Sequence, residues 1–136
     1  MSWPFDSDEQ IDEWVDTYIA AHREQPTTDE QQADAALASE PAYSAFSADN
    51  QQPEAVWRFI LKVIAKQPSE WALGMLAAGP IEDLIGACGE DFIDRIEAEA
   101  RRDPIFRRTL HGVWQTTNRP DVWERVVLTR GPEEEP

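Results

Sequence analysis

Pro53-Glu-Ala-Val-Trp-Arg-Phe-Ile-Leu-Lys-Val-Ile-Ala-Lys-Gln-Pro68 is the stretch whose reading decides the fold. Val56, Trp57, Ile60, Leu61 and Ile64 recur at three- and four-residue intervals, a wide apolar stripe on one helix. Pro53 suits the first helical position, where a missing N–H costs nothing, and Pro68 limits the other end. Arg58, Lys62 and Lys66 stand at i, i+4 and i+8 of the same helix and form a basic column beside the stripe.

Downstream, Ser69 caps a helix that turns Leu73, Leu76 and Ala77 inward, and Gly79 followed by Pro80 predicts a stop and a restart. A short helix from Pro80 through Cys88 carries Ile81, Leu84 and Ile85 and is closed by Gly89. Residues 90–102 form the next, with Phe92, Ile93, Ile96 and Ala100 inward. Asp103 and Pro104 open another bearing Ile105, Phe106, Leu110, Val113 and Trp114, and Pro120 opens the last with Val122, Trp123, Val126 and Val127. Upstream, Ile11, Trp14, Val15, Tyr18 and Ile19 line one face of a helix over 8–24, with capping pairs Asp6/Glu9 and Ser7/Gln10 at its start and Pro26 beyond its end. Residues 28–39, capped by Thr28, make a weaker helix that stops before Pro41. One more turn over 42–47 carries Tyr43 and Phe46, and a polar connector follows.

The β-branched run near Val126 has no alternating partner and no hairpin turn to pair with. The fold class is therefore all-α: about seven to eight short helices, as an irregular bundle or a short HEAT-like stack of helix hairpins with antiparallel neighbours. A length of 136 residues suits one domain over 1–130, with acidic N-terminal helices over 1–52 and core helices over 53–130. Residues 131–136 lack an apolar side chain and read as a disordered acidic tail.

The net charge of −15 is unevenly placed. Through Glu54 there are 13 acids and one base, Arg23; residues 55–132 balance 11 acids with 11 bases, and Glu133, Glu134 and Glu135 complete the excess. Such a chain repels nucleic-acid backbones and anionic bilayers and attracts a basic partner. Its single cysteine, Cys88, excludes an internal disulfide framework and a multi-cysteine zinc site. No apolar run approaches the roughly 20 residues of a membrane span, and the N-terminus lacks the parts of a signal peptide, so a soluble cytoplasmic protein is expected.

The stretch Leu76-Ala-Ala-Gly-Pro-Ile-Glu-Asp-Leu-Ile, the stretch from Gly89-Glu-Asp-Phe-Ile-Asp-Arg through Asp103-Pro104-Ile-Phe-Arg-Arg-Thr-Leu110, and the pairs Val113-Trp114 and Val122-Trp123 resemble a family of small bacterial helical proteins catalogued as a domain of unknown function. The resemblance covers roughly residues 53–128 and leaves most of the acidic segment outside. It implies a soluble helical fold and supplies no activity, cofactor or catalytic residue.

No motif dictates a reaction. Glu90, Asp91 and Asp94, with Glu82 and Asp83 one helix earlier, have the spacing of metal ligands but also that of acids favoured near helix N-termini. His111 reads as partly buried, and His22 as an imidazolium suited to the last turn of the first helix. Cys88 reads as a small buried side chain in a tight turn. No cofactor, metal ligand or catalytic residue is assigned, and the chain is read as a non-enzyme. Arg101, Arg102, Arg107 and Arg108 form the densest basic patch, read as a salt-bridged face with Glu97–Arg101 and Asp91–Arg95 as local pairs. Core is the expected place for Trp14, Trp57, Trp71, Trp114 and Trp123.

The informative pattern is on the first helix. Asp8, Asp12 and Asp16 form one column and Glu9 and Glu13 a second, and like-charge i, i+4 pairs cost about 0.2–0.5 kcal/mol each. Three readings compete: a solvated face, an acidic ridge for a cationic partner, or an internal match to the Arg58, Lys62 and Lys66 column. The ridge reading leads, with Asp8, Glu9, Asp12, Glu13 and Asp16 as partner-binding residues and Trp3 as an apolar anchor. It describes an acidic binding protein that sequesters a basic protein, most concretely an immunity protein or inhibitor of a cationic bacterial toxin such as a nuclease. The alternative is a helical scaffold or adaptor holding a peptide in an inter-helix groove.

Overall fold

A computed structural model describes residues 7–44, 46–47, 50–115, 117 and 119–132. Seven α-helices occur among the described residues: α1 (Asp8–Ala21), α2 (Asp29–Ser44), α3 (Pro53–Ala65), α4 (Glu70–Leu76), α5 (Glu82–Arg102), α6 (Pro104–Thr109) and α7 (Pro120–Arg130). A two-residue antiparallel hairpin, Phe46–Ser47 with Asn50–Gln51, occupies the connector before α3. The expected helical bundle is present.

Helix α3 is the centre. Val56, Trp57, Ile60 and Ile64 are buried as the stripe requires, and so are Phe59 and Val63, so that most of the helix circumference is covered. Trp57 meets Phe106 edge-on at 5.8 Å and lies 5.9 Å from Phe92, tying α3 to α6 and α5 in one apolar cluster. Ile11, Val15 and Tyr18 join that cluster from α1. Over 29–40, the part of α2 whose side chains are described, Ala35 and Ala38 are buried while Leu37 is exposed. Caps close the start of this helix. Here the Thr28 hydroxyl accepts the Gln31 N–H at 3.0 Å, and the Gln31 side chain accepts the Thr27 and Thr28 N–H groups at 2.8 and 3.3 Å.

Several boundaries depart from the sequence reading. Helix α2 passes through Pro41 to Ser44, giving up one N–H rather than ending before it. Gly79-Pro80 does not stop the chain: Ala77–Ile81 is a π-turn that joins α4 to α5. A ladder moving from i−4 to i−5 bonding passes over one donor, and Pro80 has none to lose. The wider turn is seen directly in the Glu82 N–H bonded to the Ala77 carbonyl. The expected helices over 80–88 and 90–102 are one element, kinked at Cys88 (φ −140°, ψ 22°). Gly89, past the kink, is buried where a Cβ would meet Val122 Cγ1 at 3.0 Å, so its role is the close approach of α5 to α7. The Asp103-capped helix ends earlier than its pattern suggests, in a 3-10 turn over Leu110–Gly112. Trp114 then sits on extended chain outside the helical register and is 77% exposed, which corrects its expected core placement. Trp57 is buried, whereas Trp14, Trp71 and Trp123 are half-buried.

The helical run Glu70–Arg102 is long and apolar enough by length and composition to cross a bilayer, and half of its most apolar window is buried within the bundle. Its contacts with α3, α6 and α7 make it the long core helix of the fold.

Candidate functional site

The two opposite columns read from the sequence face each other. Asp8 pairs with Arg58 at 3.4 Å, Asp12 with Lys62 at 2.8 Å and Asp16 with Lys66 at 3.7 Å. The numbers rise together along both helices, so α1 and α3 lie parallel and in register, with α2 and the hairpin carrying the chain back between them. Of the three readings of the aspartate column, the geometry realises the internal one. Every member is at least a third exposed, so each pair contributes under about 1 kcal/mol, and the ladder mainly removes the like-charge penalty and fixes the register.

Glu9 and Glu13 lie on the same helix about a quarter-turn further from α3, and neither has a cationic partner among the described residues. The same is true of Glu24, Asp29, Glu30 and Asp34 at the end of α1 and along α2. Between these two elements a shallow pocket of about 180 Å³ is lined by Arg23, Glu24, Gln31 and Asp34. Six exposed carboxylates without a cationic partner among the described residues are thus carried by α1, α2 and the turn between them, and Glu24 and Asp34 flank the one base there, Arg23. Of the partner-binding residues chosen from sequence, Asp8, Asp12 and Asp16 are engaged in the ladder, Glu9 and Glu13 remain available, and Trp3 lies outside the described residues. The four acids from Glu24 onward were not chosen. The signal that finds them is subtraction, because a basic column in matching register on α3 removes the aspartates and leaves the rest.

Elsewhere carboxylates are mostly spoken for. Arg95 makes a bidentate pair with Glu54, at 2.6 and 2.8 Å, that holds the Glu54 carboxyl below its usual range. Arg125 reaches Asp94 at 2.6 Å and, through Nε, Glu97 at 3.0 Å, which lowers the Glu97 pKa by hydrogen bonding first and charge second. Arg119 bridges Glu90 at 2.6 Å and Asp121 at 3.3 Å, Arg108 pairs with Glu70 at 2.8 Å, and Arg102 pairs with Glu99. The local pairs expected for Glu97–Arg101 and Asp91–Arg95 give way to these cross-helix partners, since a guanidinium fork reaches further and binds two oxygens at once.

The residues considered for metal chemistry are dispersed. Glu90 and Asp94 serve arginines, Glu82 accepts the Trp114 N–H at 2.7 Å, and His111 Nε2 lies 3.0 Å from the Arg130 carbonyl. Among the described residues no three His, Cys, Asp or Glu are grouped to hold an ion. Cys88 is half-buried, and burial with Asp91 nearby raises its thiol pKa, the opposite of nucleophile activation.

His22 departs from its expected role as an imidazolium. It is buried at the end of α1, where Nδ1 donates to the Tyr18 carbonyl at 2.8 Å and Nε2 lies 3.5 Å from the Ser39 hydroxyl of α2. Its own carbonyl accepts from Ser69, the cap of α4, at 3.2 Å. Burial lowers its pKa against the opposing effect of the Tyr18 carbonyl, so His22, with a neutral ring linking α1 to α2 and a carbonyl reaching α4, joins three helices rather than supplying charge.

A family model described as a family of unknown function (DUF6869) matches residues 24–133. The match begins well upstream of the resemblance read from the motifs and takes in α2, while α1 precedes it. No curated protein and no solved structure matches the chain.

Proposed function

We propose, from the premise that the chain belongs to the DUF6869 family, that it is a binding protein whose outer α1–α2 face receives a basic protein. The observation that carries this reading is the set of carboxylates Glu9, Glu13, Glu24, Asp29, Glu30 and Asp34, exposed and without an ion pair among the described residues, where most of the other described acids are paired. Self-repulsion within such a set costs stability that a cationic partner recovers, and its field raises the association rate more than the final affinity. An inhibitor of a cationic toxin such as a nuclease, acting in the cytoplasm, is the most concrete form of this function. The ladder aspartates, already neutralised, contribute less to it than Glu9 and Glu13.

The test is affinity capture from native lysate at low and at moderately high salt, with identification of the retained proteins and rate measurements on the purified pair. A basic protein released by salt is expected, with association slowed about tenfold or more by Glu13→Lys/Asp34→Lys and much less by Asp12→Asn. Retention indifferent to salt and to both variants would sink this reading and favour an adaptor that holds a peptide between helices.

A further inference from the structure

A second concave feature lies away from the ion pairs. A cleft of about 200 Å³ is lined by Tyr18 of α1, Ser39 of α2, Met75 of α4, the π-turn and Asp83 of α5. Most of its wall is apolar, and the polar side chains among its lining residues are those of Tyr18, Ser39 and Asp83.

Three observations set this cleft apart from a packing gap. Tyr18 is 1% exposed, its ring held by Phe59 edge-on at 5.3 Å and by His22 at 4.1 Å, yet its hydroxyl has no hydrogen-bond partner among the described residues. That oxygen is not among the fully enclosed unpaired atoms, and Tyr18 is one of the residues that line the cleft. A buried hydroxyl is normally satisfied, and one left open toward a cavity is waiting for a partner that enters it. Asp83 likewise has no cation or hydrogen-bond donor among the described residues; the residue is exposed, yet the protein around its carboxyl raises its pKa by desolvation. Gly79, on the same wall, has an ordinary φ, and a Cβ there would meet nothing within 4 Å. Neither backbone conformation nor packing calls for glycine at that position; what its missing side chain leaves is room.

We propose that this cleft binds an alkylammonium group, with the Asp83 carboxylate and the Tyr18 and Ser39 hydroxyl oxygens accepting its three N–H bonds and Met75 and Pro80 covering its methylene stem. The donor count of an ammonium equals the number of acceptor groups, and the Ser39 oxygen keeps a lone pair to accept with whether its one proton goes to the Ala35 carbonyl at 3.0 Å or to His22 Nε2 at 3.5 Å. The space suits a chain of about five or six heavy atoms, each close to water in size. A free primary amine and a lysine side chain of a protein partner present the same chemistry. The inference goes beyond the binding of a basic protein at the outer face and can hold or fail without it.

Titrating the full-length protein with n-butylammonium chloride and, separately, with n-butanol, followed by backbone amide NMR, tests it. Saturable shifts confined to residues around 18, 39 and 75–83 are expected for the amine. Butanol should bind at least tenfold more weakly. Asp83→Asn should weaken the amine about tenfold and Tyr18→Phe several-fold, with the thermal midpoint of each variant reported alongside. Gly79→Val, which fills the space, should abolish the shifts. If Tyr18→Phe perturbs the fold, Asp83→Asn and Gly79→Val, both at exposed or open positions, still decide the matter. Equal binding of amine and butanol, shifts located elsewhere, or indifference to Asp83→Asn would overturn the proposal. Nα-acetyl-lysine N-methylamide separates the sources: binding at least as tight as butylamine assigns the site to a lysine side chain, and binding of butylamine alone assigns it to a small amine.

Discussion

The α1–α2 pair and the α5–α7 pair are both acidic, and they handle their charge in opposite ways. Between α5 and α7 the arginines are few and forked: Arg125 takes Asp94 and Glu97 together, and Arg119 takes Glu90 and Asp121. Buried Gly89, Val122 and Val126 let those helices approach closely beneath the pairs. On the other side single pairs in register link α1 to α3, and over 29–40 helix α2 meets the rest of the fold through buried Ala35 and Ala38 and the Ser39 contact with His22. The difference teaches that a count of acids does not locate a binding face. What matters is which carboxylates the tertiary structure has already neutralised, and six of those left over among the described residues lie along α1, α2 and the turn between them.

This contrast is open to attack by mutation. The largest effect is expected in the body: Phe106, fully buried against Trp57, should cost about 3–5 kcal/mol when replaced by alanine, as large-to-small core changes do. Chemical denaturation of Phe106→Ala measures it, and a loss under about 1 kcal/mol would mean that α6 is not part of the cooperative core.

An intermediate effect is expected at the His22 junction. Because its folded pKa is lowered, the unfolded chain binds the proton more readily. The stability contributed by neutral His22 is complete above about pH 6.5 and is lost as pH falls from there toward the depressed folded value. Between about pH 7 and pH 5, amide exchange in α1 and α2 should accelerate before that in α5 and α7. His22→Asn, which can still donate to the Tyr18 carbonyl, should remove that acid limb. Uniform acceleration across all helices in the wild type would erase the distinction between the two halves.

The smallest effect belongs to the ladder. A double-mutant cycle on Asp12→Ala and Lys62→Ala should give a coupling of about 0.2–1 kcal/mol that fades in high salt. A much larger coupling would mean that the exposed pairs, rather than Ile11, Val15 and Tyr18, hold α1 in place.

Much of this was legible in the chain. The stripe from Val56 to Ile64, the caps at Ser7, Thr28, Ser69 and Asp103, and the apolar faces of α1 and α5 follow from local rules, because periodicity and capping act over one or two turns. The π-turn at Gly79-Pro80 was not legible, since Gly-Pro punctuates a helix in most contexts and only surrounding packing can favour carrying the chain through. Nor was the exposure of Trp114, which depends on where α6 gives out.

The candidate site divides the same way. The sequence alone determined an all-α chain, an acidic N-terminal segment and two opposite charge columns with a common four-residue spacing. Tertiary structure decided that α1 and α3 lie parallel so that those columns meet, that Glu9 and Glu13 are left exposed without a cationic partner among the described residues, and that Tyr18, Ser39 and Asp83 share one cleft. The reason is distance along the chain: helix periodicity is set by neighbours three and four residues apart, whereas the pairing of residues about 50 positions apart depends on the one arrangement of helices that buries their apolar faces together.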